Sequence, residues 1–135
     1  MNDQQKPEEK SQDSATIAVQ AETLYLLNLL LFPGISFAVL AWLYSRHSNN
    51  ENPVNRSHLK QTMMVSLLGA LLIVAVIGLT ILFGGTQSPW IWLFVIMYFT
   101  LVHSTLIFFG IMGLVKAMSG ENYIFPLFGK WFYQE

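Results

Sequence analysis

The chain has no cysteine and very little charge. The first absence removes disulfides, thiolate zinc sites, iron–sulfur clusters and a cysteine nucleophile together, and leaves the redox compartment open. The second excludes an ordinary soluble domain, for which about 25% charged residues is typical. Here Asp, Glu, Lys and Arg make up 11% of 135 residues, against 53% hydrophobic and 14% aromatic, with a mean hydropathy of +0.47. The seven Lys and Arg form no basic stripe and the net charge is −1, so no nucleic-acid partner is expected. Phosphate-binding glycine loops, paired carboxylates, metal-ligand spacings and a nucleophile–base pair are also missing. Gly84-Gly85 is the only glycine pair and no phosphate-binding lysine follows it. No catalytic residue, metal or cofactor is assigned, and the chain reads as a non-enzyme.

What is present is long and apolar. Residues 1–22 hold seven charges, 46–60 hold four and 116–135 hold four, leaving 78 uncharged positions in two blocks, 23–45 and 61–115. The N-terminal MNDQQKPEEKSQDSATIAVQAE is polar and net acidic, unlike a secretory signal, so the first block reads as a retained anchor. Its length, ~34 Å as a helix, fits a ~30 Å hydrocarbon core. Pro33-Gly34 near its centre should kink it, and a re-entrant hairpin turning at Pro33 is the alternative. The second block is long enough for two spans joined by GGTQSP, residues 84–89, with glycines ending one helix, Ser88 capping the next and Pro89 opening it. The expected fold is an all-α integral membrane protein of three transmembrane helices, about 23–45, 63–83 and 90–115. A polar, disordered tail (1–22) precedes them and a cytoplasmic interfacial tail (116–135) follows.

Five Lys and Arg (Arg46, Arg56, Lys60, Lys116, Lys130) against two (Lys6, Lys10) place the N-terminus outside and the C-terminus in the cytoplasm of a bacterial inner membrane. Trp90 and Trp92 then mark the outer rim, and Trp42 and Tyr44 the inner one. Tyr123, Trp131 and Tyr133 mark a tail lying along the interface.

Two groups of residues stand out. His103 falls near the middle of the third span with Tyr98, Thr100 and Ser104 close by, and intramembrane ionisable groups are functional hypotheses by default. The competing reading is a neutral histidine hydrogen-bonding between helices. Bis-histidine haem ligation of His103 with His58 is excluded within one chain, because His58 lies ~8 Å outside the bilayer edge, which leaves only a haem shared between two copies. Asn28 reads as hydrogen-bonding glue, and Gly34, Ala38, Ser66, Ala70, Gly110, Gly113 and Ala117 as helix–helix contacts.

The second group lies at the cytoplasmic end. Pro33-Gly34, His58-Leu59-Lys60-Gln61 and Gly120-Glu121-Asn122-Tyr123-Ile124-Phe125-Pro126-Leu127 together resemble elements of the Tic-twenty-like group. These are small bacterial membrane proteins related to an inner-envelope subunit of the chloroplast protein translocon. The resemblance spans roughly residues 24–132 and assigns no reaction. It implies that His58 and Gln61 meet Gly120, Glu121, Tyr123 and Pro126 on one side of the membrane. Its plastid relatives are four-helix components of a protein-conducting channel, where this chain reads as three helices.

The favoured function is an accessory or assembly subunit that sits in the lipid bilayer and binds other membrane proteins or its own copies. The alternatives are an oligomeric translocation or permeation pore, and a cofactor- or quinone-associated subunit acting through His103.

Overall fold

A computed structural model describes residues 15–126 and Lys130. The described residues form four helices: α1 (Thr16–Leu30), α2 (Ile35–His47), α3 (Pro53–Leu82) and α4 (Pro89–Met118). Only α3 and α4, of 30 residues each, are long and apolar enough to cross a membrane.

The first apolar block is not one kinked span. It is a helical hairpin whose arms, 15 and 13 residues long, reach only ~22 and ~20 Å, short of a ~30 Å core. Pro33 has no amide to continue a helix, and Gly34 takes φ +87°, which side chains with a Cβ avoid. Asn28, expected to bond between helices, instead secures the turn: its Oδ1 accepts the Gly34 N–H at 3.1 Å. The arms then fold together, with Ala21 of α1 buried alongside Leu40 and Leu43 of α2 and Leu59 of α3. α1 also starts at Thr16, so residues 16–22 are helical and Ala18, Ala21 and Glu22 are buried, rather than part of a tail. The reading of residues 1–14 as disordered, and of Trp131 and Tyr133 as interfacial, falls outside the described residues.

α3 begins eight residues before the second uncharged block, because Asn52 and Pro53 form a start signal: Asn52 Oδ1 accepts the Val54 N–H at 2.9 Å and Pro53 occupies the first turn. The 84–89 turn is where the sequence places it. Pro89 opens α4 as expected, whereas Ser88 makes no side-chain cap.

α1 runs parallel to α3 and antiparallel to α4, fixed by Ala18 N–H to Asn55 Oδ1 at 3.0 Å and by Tyr25 O–H to the Leu106 carbonyl at 3.1 Å. The starts of α1 and α3, the end of α4 and segment 121–125 therefore share one end of the bundle. Three-span topology would put the beginning and end of the chain at opposite ends. The buried residues of α3 all lie from Asn55 to Gly69, so four helices pack at that end and α3 and α4 continue alone beyond it.

Candidate functional site at the four-helix end

Ala18, Glu22, Tyr25 and Leu29 recur at helical spacing on one face of α1, and that face meets α3 and α4. Gly113 and Gly110 let it come close. A Cβ on Gly113 would stand 2.7 Å from Glu22 Oε2, and one on Gly110 would stand 2.5 Å from the Tyr25 ring. The small-residue stripe of α4 is therefore a contact within the chain. Ala38 and Ala70, by contrast, face outward.

Glu22 and His58 are both fully buried, with Oε1 and Nδ1 2.6 Å apart. His58 Nε2–H donates to the Glu121 carbonyl at 2.9 Å. A carbonyl can only accept, so Nε2 carries a proton and the Glu22–His58 contact holds one more between its two atoms. Wherever that proton resides, the pair is neutral overall, which is the form the interior tolerates. Burial pushes the Glu22 carboxyl above the usual carboxylate range, opposed by the hydrogen bond and charge of His58. One turn along α3, Gln61 Oε1 accepts the Phe125 N–H at 3.1 Å. Phe125 is fully buried, edge-on to Tyr25 at 6.0 Å between ring centroids and to Tyr123 at 5.6 Å. Burial, with the Glu22 carboxylate beside it, also raises the Tyr123 phenol.

His58 and Gln61 thus do meet the 120–126 element, by way of two backbone groups. Gly120 provides the turn out of α4, Glu121 and Phe125 make the bonds, Tyr123 packs on Phe125, and Pro126 is exposed. His58 itself lies inside α3 and is buried, not in or beside a loop. Segment 121–125 is folded onto the bundle rather than laid out beside it. Glu22 is the residue that sequence reasoning missed. Its signal was the 18, 22, 25, 29 spacing, which runs from the polar segment into the apolar block without a break.

The His103 group does not assemble. Tyr98–His103 forms a π-helical turn within α4, and Ser104 Oγ donates to the Phe99 carbonyl at 3.1 Å across it. Tyr98 is buried and His103 half-buried, their rings 6.4 Å apart, while Thr100 and Ser104 are exposed on other faces. Tyr98 Oη and His103 Nδ1 are buried without a hydrogen-bond partner. Among the described residues, no three His, Asp or Glu side chains come close enough to hold a metal ion.

Comparison with known families decides what this bundle is related to. Residues 13–132 match the magnetosome magnetite crystal formation protein family, MamF/MmsF. The chain belongs to that family. The match takes in the whole hairpin, both long helices and the segment seated on His58 and Gln61. It corrects the resemblance to the Tic-twenty-like group, so the plastid relatives no longer bear on this chain. No curated protein and no solved structure matches the chain.

Proposed function

We propose that this MamF/MmsF member is a non-enzymatic accessory protein of a membrane, contributing to magnetite crystal formation by binding other membrane proteins or its own copies. The observation that carries this reading is the division of its surface. Its strongest ionisable pair, Glu22–His58, is sealed inside and spent on holding α1, α3 and segment 121–125 together. Outside, α3 and α4 present Leu71, Val74, Ile81, Trp90 and Phe94, each more than half exposed, as lipid- or protein-facing surface.

The test is purification of the full chain from membranes in mild detergent after cross-linking, alongside removal of the gene from a magnetite-forming host. The expected results are a cross-linked assembly and crystals altered in size or number. A monomer with no cross-linked neighbour rejects the binding role, and unchanged crystals reject the link to mineral.

A further inference from the structure

Along the outward face of α2, four residues are ordered by character. Ile35 and Val39 are exposed and apolar, Trp42 follows on the same stripe, and Arg46 comes last with its guanidinium 5.6 Å from the Trp42 ring centroid. In a bilayer this is a depth ladder: hydrocarbon at Ile35, the interfacial level at Trp42 and headgroup phosphates at Arg46. At ~1.5 Å per residue the ladder spans ~16 Å, about half of a ~30 Å core. The tip of the hairpin, Leu30, Leu31 and Phe32, is more than half exposed and uncharged, so it too belongs in hydrocarbon. Water would make that surface costly at roughly 25 cal/mol per Å².

We propose that the α1–α2 hairpin is inserted into a single leaflet, making the chain a wedge that selects a convex, anionic membrane surface. Four helices of ~10 Å diameter occupy the leaflet on the hairpin side, and only α3 and α4 occupy the other. Such a shape packs with least strain where the hairpin-side leaflet is stretched, on the outside of a small vesicle or tube. The charge pattern names the lipid. From Arg46 to Glu121 the hairpin-base end carries exposed Arg46, Arg56 and Lys60 beside Glu51, and a half-buried Lys116 paired with Glu121, four cations against two carboxylates. The turn at the far end, residues 84–88, carries no charge. The exposed Arg46, Arg56 and Lys60 at the wide end attract anionic headgroups at ~1 kcal/mol per Lys or Arg near the surface. This inference rests on the chain being membrane-inserted, as proposed above.

The cysteine-free sequence makes the test direct. Full-length N49C, whose exposed position lies at the hairpin base, is reconstituted into giant vesicles of phosphatidylcholine and phosphatidylglycerol. A membrane-impermeant dye labels only copies with the hairpin base outward, and narrow tubes are then pulled from the vesicles. The expected result is a severalfold higher protein density in the tube than in the flat membrane, falling toward parity without phosphatidylglycerol. Equal density in tube and vesicle overturns the proposal. A second measurement does not depend on tubes: single cysteines replacing Ile35, Trp42 and Arg46 carry a fluorophore quenched by lipids brominated at known depths. Quenching should be deepest at Ile35 and shallowest at Arg46. Reaction of the Ile35 site with reagent from the far side marks a full span, and shielding of that site from all lipid quenchers marks a second copy covering the face; either overturns it. Release of the whole chain by alkaline carbonate, in contrast, rejects membrane insertion itself.

Discussion

From Asn55 to Gly69, α3 buries eight residues against its neighbours; from Ala70 to Leu82 it buries none. The buried half is also the polar half, holding Asn55, His58, Gln61, Thr62 and Ser66, while the other half is almost purely aliphatic. The difference shows where this chain is specified. In the aliphatic half any apolar side chain of similar size satisfies a lipid environment, because lipid tails and leucine are equally apolar. At the four-helix end each polar atom needs a particular partner, and the Glu22 carboxylate of α1 lies against α4 where a Cβ on Gly113 would stand. The cost of a substitution should therefore depend far more on which half it falls in than on how hydrophobic it is.

The sharpest way to break this contrast is to compare H58A and E22A with I77A, following thermal unfolding in detergent. Removing either member of the buried pair leaves the other without its counterpart and should cost ~3–5 kcal/mol. Ile77, which is 54% exposed, should change stability by no more than ~0.5 kcal/mol. The double replacement E22L/H58F should recover much of the loss, since an apolar pair of similar volume removes both buried polar groups. Equal losses at positions 58 and 77 would erase the distinction between the halves.

Next in size is G113A. The added methyl meets the Glu22 carboxylate, and overpacking of this kind costs ~1–3 kcal/mol. The same substitution at Gly78, where nothing lies within 4 Å of an added Cβ, should be neutral or slightly stabilising in the same assay.

A gentler probe is pH. Because burial raises the Glu22 carboxyl, the folded chain holds that proton more tightly than the unfolded one. The stabilisation it contributes is present at low pH and lost as pH rises past the folded value. Unfolding temperature measured across a pH series should fall on the alkaline side, and E22Q should flatten that slope. A slope unchanged in E22Q would assign the dependence to other groups. The smallest effect belongs to K116A. Its ion pair with Glu121 is 41% and 57% exposed at its two side chains, so its loss should shift stability by less than ~1 kcal/mol and be masked by salt.

Sequence reading found the α3–α4 hairpin because its signals are local: two uncharged runs, a glycine pair and Pro89. It also brought His58 and Gln61 to the 120–126 element, though through a resemblance that the family match replaces. It favoured a kinked span over a hairpin turning at Pro33, although 23 uncharged residues around Pro33-Gly34 have the same composition either way. What decides between them is tertiary: Ala21 packing on Leu40 and Leu43, and Asn28 closing the turn. Glu22 was missed for a related reason. A carboxylate just before an apolar run looks like a flank until His58, 36 positions further on, is placed against it. The His103 group had the opposite fault, four polar residues close in sequence of which Tyr98 is buried, His103 half-buried and Thr100 and Ser104 exposed.

The Gly84–Ser88 turn has a consequence for how the chain enters a bilayer. Gly-Gly-Thr-Gln-Ser carries no charged side chain, and it is the stretch that would have to pass through the hydrocarbon for α3 and α4 to insert as a pair. The charged side chains of the two helices, Arg56, Lys60 and Lys116, lie at the other end. A charged side chain at the bilayer centre is set at ~2.5–3.5 kcal/mol on insertion scales, and this hairpin avoids that barrier altogether. For the pair to insert, only the amides and hydroxyls of that turn would have to be desolvated.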